Sequence, residues 1–206
     1  MRIILAIFLF ILTLFVFVYI ADEIVIRNEA RFDQTIVGAI APYQSPGATT
    51  AMTTFTFFGS HFFFIPAYII LISILWFKRE KRLALTVAAI GLTSTGILFL
   101  LKAIFQRARP LDPLIQDVAG FSFPSGHSFS AFTFYGLIAY LLWQTKISKA
   151  WKIVASILLF LFAFIIAFSR VYLRVHFPSD VIAGYCLSVV WLLLSFWVFK
   201  KTGLIK

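Results

Sequence analysis

Six stretches of the chain carry almost no charge and approach the roughly 20 apolar residues a helix needs to cross a hydrocarbon core. They run over 3–20, 55–77, 83–105, 128–143, 153–168 and 181–199. Polar connections separate them. The longest connection, 22–54, holds Phe32, Ile36, Val37 and Ile40 at near-helical spacing, which predicts a short helix lying in the membrane interface. The first stretch is long for a signal-peptide core and no small-x-small cleavage site follows it, so it reads as a retained helix. No repeat, low-complexity linker or second domain interrupts the pattern. The expectation is an all-α integral membrane bundle of six transmembrane helices, one domain over 1–206, with the interfacial helix between spans one and two.

Composition sharpens this. The chain is 62% hydrophobic and 18% aromatic, with 26 Phe. A soluble domain of 206 residues has too little interior to hide that much apolar surface. The single cysteine, Cys186, lies in an apolar run and excludes both an internal disulfide and a cysteine-based metal site.

The net charge of +10 would suit nucleic acid, but its placement points to topology instead. With the N-terminus inside, one set of connections holds Arg2, Lys78, Arg79, Lys81, Arg82, Lys146, Lys149, Lys152, Lys200, Lys201 and Lys206. These 11 basic residues stand against one acid, Glu80. The other set holds seven basic residues, Arg27, Arg31, Lys102, Arg107, Arg109, Arg170 and Arg174. It also holds seven acids, Asp22, Glu23, Glu29, Asp33, Asp112, Asp117 and Asp180. The positive-inside rule makes the first set cytoplasmic, with both termini on that side. Trp76, Trp143, Trp151 and Trp197 fall near the same boundary, as an interfacial belt does.

The opposite face is neutral overall yet dense in functional side chains. "KAIFQRARP" (102–110) follows span three, "PSGH" (124–127) precedes span four, and "SRVYLRVHFPSD" (169–180) joins spans five and six. Each has a bland reading alone. Lys102 can snorkel, Pro124 and Ser125 can simply start and cap a helix, and His176 and Asp180 can be a structural pair. Together, two histidines, a carboxylate and three separated cations at one membrane face are expensive without a purpose.

Phosphoryl transfer gives them one. Lys102, Arg109 and Arg170 can neutralise a phosphate, and an arginine can grip two of its oxygens. A helix opening at "PSGH" adds backbone N–H donors and the positive end of its dipole; Ser125 offers a hydroxyl and Gly126 a close backbone approach. Asp180 can hold one nitrogen of His176, which leaves the other free to attack phosphorus. His127 can protonate the leaving oxygen. The acids on this face are scattered, with no cluster at metal-ligand spacing.

Lys102-(six residues)-Arg109-Pro110, Pro124-Ser125-Gly126-His127 and Ser169-Arg170-(five residues)-His176-(three residues)-Asp180 resemble the three-part signature of the type 2 phosphatidic acid phosphatase (PAP2) superfamily, in order and in spacing. The resemblance covers mainly residues 102–180. It implies His176 as nucleophile, Asp180 as its partner and His127 as acid. It also implies Lys102, Arg109, Ser125, Gly126 and Arg170 as phosphate ligands, no metal cofactor, and a phosphorylated membrane lipid as substrate. Within the family, small size and lack of extra domains resemble bacterial phosphatidylglycerophosphate phosphatases of the plasma membrane. Undecaprenyl diphosphate phosphatases share the same motifs, and the motifs read the phosphate rather than the tail. Arg107, Arg174 and His61 lie outside this set with no assigned role, and oligomeric state is not legible. A transporter would place its charges in mid-span. The family's vanadium haloperoxidase relatives are soluble, which six spans oppose.

Overall fold

The computed structural model describes residues 2–116 and 119–204, and among them every regular element is helical. Of the charges weighed above, Asp117 and Lys206 lie outside the described residues, and so does the side chain of Arg2. Helix α1 (Arg2–Tyr19) continues as a π-helical turn over Ile20–Ile26. There follow α2 (Arg31–Ile40), α3 (Pro46–Phe57), α4 (His61–Phe77), α5 (Lys81–Phe105), α6 (Gly126–Trp143), α7 (Lys149–Tyr172) and α8 (Pro178–Lys201).

Five segments are long and apolar enough to cross a membrane: Ile3–Ile26, Pro46–Phe77, Lys81–Phe105, Lys149–Tyr172 and Pro178–Lys201. Helix α6 is the sixth long helix of the bundle. It is more polar, with His127, Ser128, Ser130 and Thr133 in its first half, and most of its side chains are buried. It packs against α7 and α8, while α1 lies on α8, α4 on α5 and α3 on α7. The buried centre runs through Phe129, Phe132, Phe134, Leu137, Ala163, Ile166 and Ala167. Large apolar side chains on the outer faces, such as Ile7, Ile69, Leu92 and Phe164, stay exposed, as lipid-facing positions do.

The second span differs in form from the single run expected over 55–77. The helix breaks after Phe57 and restarts at His61, so α3 and α4 share the span. At the break sits Gly59, where an added Cβ would lie 2.4 Å from Ile166 Cγ2 and 2.9 Å from His127 Cδ2. Only a glycine lets the chain pass that close to α6 and α7.

The interfacial helix forms over Arg31–Ile40, with Ile36, Val37 and Ile40 of the expected stripe half-buried and its fourth member, Phe32, exposed. Its deepest residue is a carboxylate: Asp33, in register with that stripe, is 1% exposed.

Local signals set the helix ends that matter. Helix α5 stops at Gln106, in the left-handed region at φ 45°, whose N–H returns to the carbonyl of Lys102 at 3.0 Å. Ser125 caps α6, its hydroxyl accepting from the Ser128 amide at 3.4 Å. Pro178 occupies the first turn of α8, where its missing N–H costs nothing. The C-terminal ends of α5 and α7 and the N-terminal ends of α6 and α8 therefore meet at one end of the bundle.

Candidate active site

The three sequence stretches converge at that end. His176 sits in the short connection between α7 and α8, 2% exposed, with Asp180 fully buried one turn into α8. Nη1 of Arg109 stands 3.2 Å from Nε2 of His176. A guanidinium can only donate, so Nε2 accepts and the ring proton is on Nδ1. Nδ1 faces Oδ2 of Asp180 at 3.5 Å, within ion-pair range but outside hydrogen-bond geometry, which leaves it without a full partner. Contacts of this kind are often long before substrate binds and tighten afterwards. Burial drives the His176 pKa down to about 3, with Asp180 opposing the shift, so the ring is neutral near pH 7.

The basic side chains are already directed by the backbone. Arg109 also donates to the carbonyls of Val175 at 2.7 Å, Gly120 at 2.9 Å and Ala119 at 3.0 Å. Burial draws its pKa below the ordinary value, against the pull of Asp180. Lys102 donates to the carbonyl of Phe121 and reaches that of Ser122 at 3.5 Å. Arg170, from the last turn of α7, donates to Oγ1 of Thr56 on α3 at 2.7 Å, and its Nε is buried without a partner. Such an orphaned donor is costly unless something else takes it up.

The N-terminus of α6 is knitted to α8. The Ser125 amide donates to the Asp180 carbonyl at 3.0 Å, and Oγ of Ser128 donates to Oγ of Ser125 at 2.9 Å. Opposite them lies Gly184, where a Cβ would fall 2.8 Å from the Ser125 carbonyl oxygen and 3.0 Å from Ser128 Cβ. The glycine sets how closely α8 can carry Asp180 to the α6 cap.

A cavity of about 650 Å³ opens beside these groups. Lys102, Arg109, Gly126 and His127 line one end. From there it runs between α4 and α5 along Tyr68, Ile72, Gly91, Thr95 and Leu98, and its wall is mostly apolar. His61 also lines it. Among the described residues no group of three or more His, Cys, Asp or Glu side chains could hold a metal ion.

Of the residues singled out in the three motifs, Lys102, Arg109, Gly126 and His127 line the cavity, whereas Ser125, Arg170, Arg174, His176 and Asp180 lie outside its wall, His176 reaching it through Arg109. Several neighbours escaped the sequence. Arg107 donates to Oδ1 of Asp180 at 2.6 Å and, through its other nitrogen, to Oδ2 of Asp33 at 2.7 Å. Asp33 accepts in turn from the amide and hydroxyl of Ser179, at 2.9 and 2.7 Å. The usable signal for Asp33 was an acid in phase with the apolar stripe of an interfacial helix. Thr56 gave none.

Fold and site together define a polytopic helical membrane protein with a basic, histidine-bearing site suited to a phosphate. The chain belongs to the PAP2 superfamily, whose family model matches residues 80–204, and is a PAP2-family phosphatase. Phosphatidylglycerophosphatase B of Bacillus subtilis is 31% identical over 185 residues, covering 86% of this chain and 89% of that protein. The crystal structure of a transmembrane PAP2-type phosphatidylglycerolphosphate phosphatase from Bacillus subtilis superposes with a TM-score of 0.85 at 29% identity. It covers 93% of this chain and 96% of that one. An undecaprenyl-diphosphatase of Sulfolobus acidocaldarius is 29% identical, over 72% of this chain and 69% of that protein.

Proposed function

We propose that this protein is a metal-independent lipid phosphate phosphatase that removes the terminal phosphate of phosphatidylglycerol phosphate at the outer face of a bacterial plasma membrane. The observation that carries this reading is the cavity itself. One end is lined by Lys102, Arg109 and His127, and the rest is an apolar corridor between two helices. That shape suits a phosphate with a lipid tail. The similarity to the Bacillus subtilis phosphatase over most of both chains supports the choice of substrate.

In the proposed mechanism the phosphate oxygens take the donors of Lys102, Arg109 and Arg170 and the N-terminal amides of α6 around Ser125 and Gly126. The Nε2 lone pair of His176 attacks phosphorus. An N–P bond forms and the P–O bond to the lipid breaks. His127 gives its proton to the leaving oxygen, so the lipid departs as an alcohol. Asp180 stabilises the positive charge that develops on the His176 ring. His127, now neutral, takes a proton from water as the water oxygen attacks phosphorus. The N–P bond breaks and inorganic phosphate leaves.

A second reading is an undecaprenyl diphosphate phosphatase, favoured by the Sulfolobus relative. The two are separated by phosphate release from phosphatidylglycerol phosphate, phosphatidic acid and undecaprenyl diphosphate in mixed micelles with EDTA. Preference for phosphatidylglycerol phosphate is expected. Preference for undecaprenyl diphosphate selects the second reading, and activity that EDTA abolishes and Mg²⁺ restores overturns the metal-independent mechanism.

A further inference from the structure

One half-buried cation beside the site is not accounted for by phosphate binding. Arg107, like Arg170, is absent from the cavity wall, but where Arg170 keeps an unpartnered Nε, the Arg107 side chain, 12% exposed, is taken up by two carboxylates. Its guanidinium forks. Nη1 serves Oδ1 of Asp180 at 2.6 Å and Oγ of Ser179 at 2.8 Å, and Nη2 serves Oδ2 of Asp33 at 2.7 Å. Its face lies over the ring of Phe177, 4.1 Å from the centroid. The amide of Phe177 donates to the other oxygen of Asp180, Oδ2, at 2.9 Å. Both oxygens of Asp180 are thus fixed, and the one turned toward His176 cannot rotate away.

Holding two carboxylates, each at most 1% exposed, on one arginine carries a desolvation cost that an apolar contact would avoid. A contact made only to dock α2 on α8 would not need a fork shared with Asp180. The geometry points to Arg107 and Asp33 as a positioning pair: they hold Asp180 in register with His176 and link that register to the interfacial helix α2. The inference rests on the phosphatase reading above. The pair touches neither substrate nor His176 and acts only through Asp180. Lysine cannot replace Arg107, because one ammonium does not span both carboxylates in a plane.

The test uses the full chain in detergent micelles with dioctanoyl phosphatidylglycerol phosphate, scoring kcat, KM and the covalent phosphoenzyme. Arg107→Gln is expected to lower kcat by about 100-fold, the scale of a misplaced catalytic group. KM should move by less than about threefold, since ground-state binding is untouched. Arg107→Lys should recover little of the loss. Asp33→Asn, which puts an amide donor where Arg107 needs an acceptor, should give a smaller loss of the same kind.

In an Asp180→Asn background, Arg107→Gln should cost nothing further, because the residue it positions is already disabled. A full additional loss there marks a general structural clamp and overturns the inference. So does a raised KM with kcat unchanged, which would place Arg107 on the substrate. If Arg107→Gln fails to fold, the Asp33→Asn and Asp180→Asn pair is scored by the same rule, and additive losses overturn it. Phosphate release by the wild type with Arg107→Gln unimpaired overturns this inference alone. No release by the wild type overturns the phosphatase reading and this inference with it.

Discussion

Nη1 of Arg109 donates to Nε2 of His176 across 3.2 Å, so the nitrogen proposed to attack phosphorus is already paired with a cation proposed to hold the phosphate. The contact keeps the Nε2 lone pair directed at the point where the guanidinium would meet a phosphate oxygen. A substrate entering from the cavity would draw Arg109 onto its oxygens and place phosphorus in line with the ring nitrogen.

His176→Ala should abolish both turnover and the covalent phosphoenzyme while substrate binding persists. Asp180→Asn should lower kcat by roughly 10⁴-fold, the scale for losing a carboxylate that orients a catalytic imidazole. Acid-quench trapping of labelled phosphate on the protein is the measurement. A phosphoenzyme that survives in His176→Ala would remove that residue from the nucleophile's role.

The pH dependence follows from burial of the same ring. His176 has a folded pKa of about 3, against about 6.5 in an unfolded chain. Between those values the unfolded state binds the extra proton, so stability is full above about pH 6.5 and falls as pH drops toward 3. Thermal midpoints in detergent should therefore decline from pH 7 to pH 5 less steeply in His176→Gln than in wild type. Equal slopes would show that the ring is not buried neutral.

Much of this architecture was legible in the sequence because its signals are local. Uncharged apolar runs marked the long helices, and the three motifs keep the side chains proposed for catalysis within a few residues of a helix end. What escaped was long-range or rested on a single residue. The apolar run passes through Phe57 and Phe58 without pause, so only Gly59 and Ser60 hinted that span two is two helices. Arg107 looked like a surplus charge because its acceptors, Asp33 and Asp180, are 74 and 73 positions away in the chain. Thr56 is held to Arg170 across 114 positions, a pairing no spacing rule encodes.

Gly184 offers a test of the α6–α8 contact. A methyl group there would meet the Ser125 carbonyl at 2.8 Å, and a backbone oxygen cannot swing aside as a side-chain end can. Gly184→Ala should destabilise the fold by about 1–3 kcal/mol, as overpacking does. It should also lower kcat by moving Asp180 off the α6 cap. Gly96 on α5 has nothing within 4 Å of the same added atom, so Gly96→Ala should be neutral or stabilise by up to about 1 kcal/mol. Equal tolerance at both positions, read by thermal unfolding, would mean that the α6–α8 contact yields.

Sidedness rests on the sequence count of 11 basic residues in one set of connections against seven in the other. With Cys186 replaced by serine, cysteines at Leu111, in the connection after α5, and at Lys149, at the start of α7, should label oppositely in intact cells. Leu111→Cys should react with an impermeant maleimide from outside. Labelling of Lys149→Cys from outside would invert the topology and move the chemistry to the cytoplasmic face.

The corridor between α4 and α5 makes a last prediction about entry. A lipid must bring its phosphate to Lys102 and Arg109 while its tails stay in hydrocarbon. Withdrawing a tail from an apolar environment costs about 0.8 kcal/mol per CH₂. The apolar wall along Tyr68, Ile72, Gly91, Thr95 and Leu98 lets the tail remain between the two helices, so lateral access from the membrane avoids that cost. The interfacial helix α2 docks on the start of α8, while α4 and α5 form the walls. Thr95→Trp and Ala88→Phe should therefore slow turnover of long-chain lipid phosphates by a large factor while sparing p-nitrophenyl phosphate, which needs only the polar end. Equal losses on both substrates would show damage to the site rather than to the corridor. Soluble phosphates turned over as efficiently as long-chain lipids by the wild type would mean that the corridor does not carry the tail.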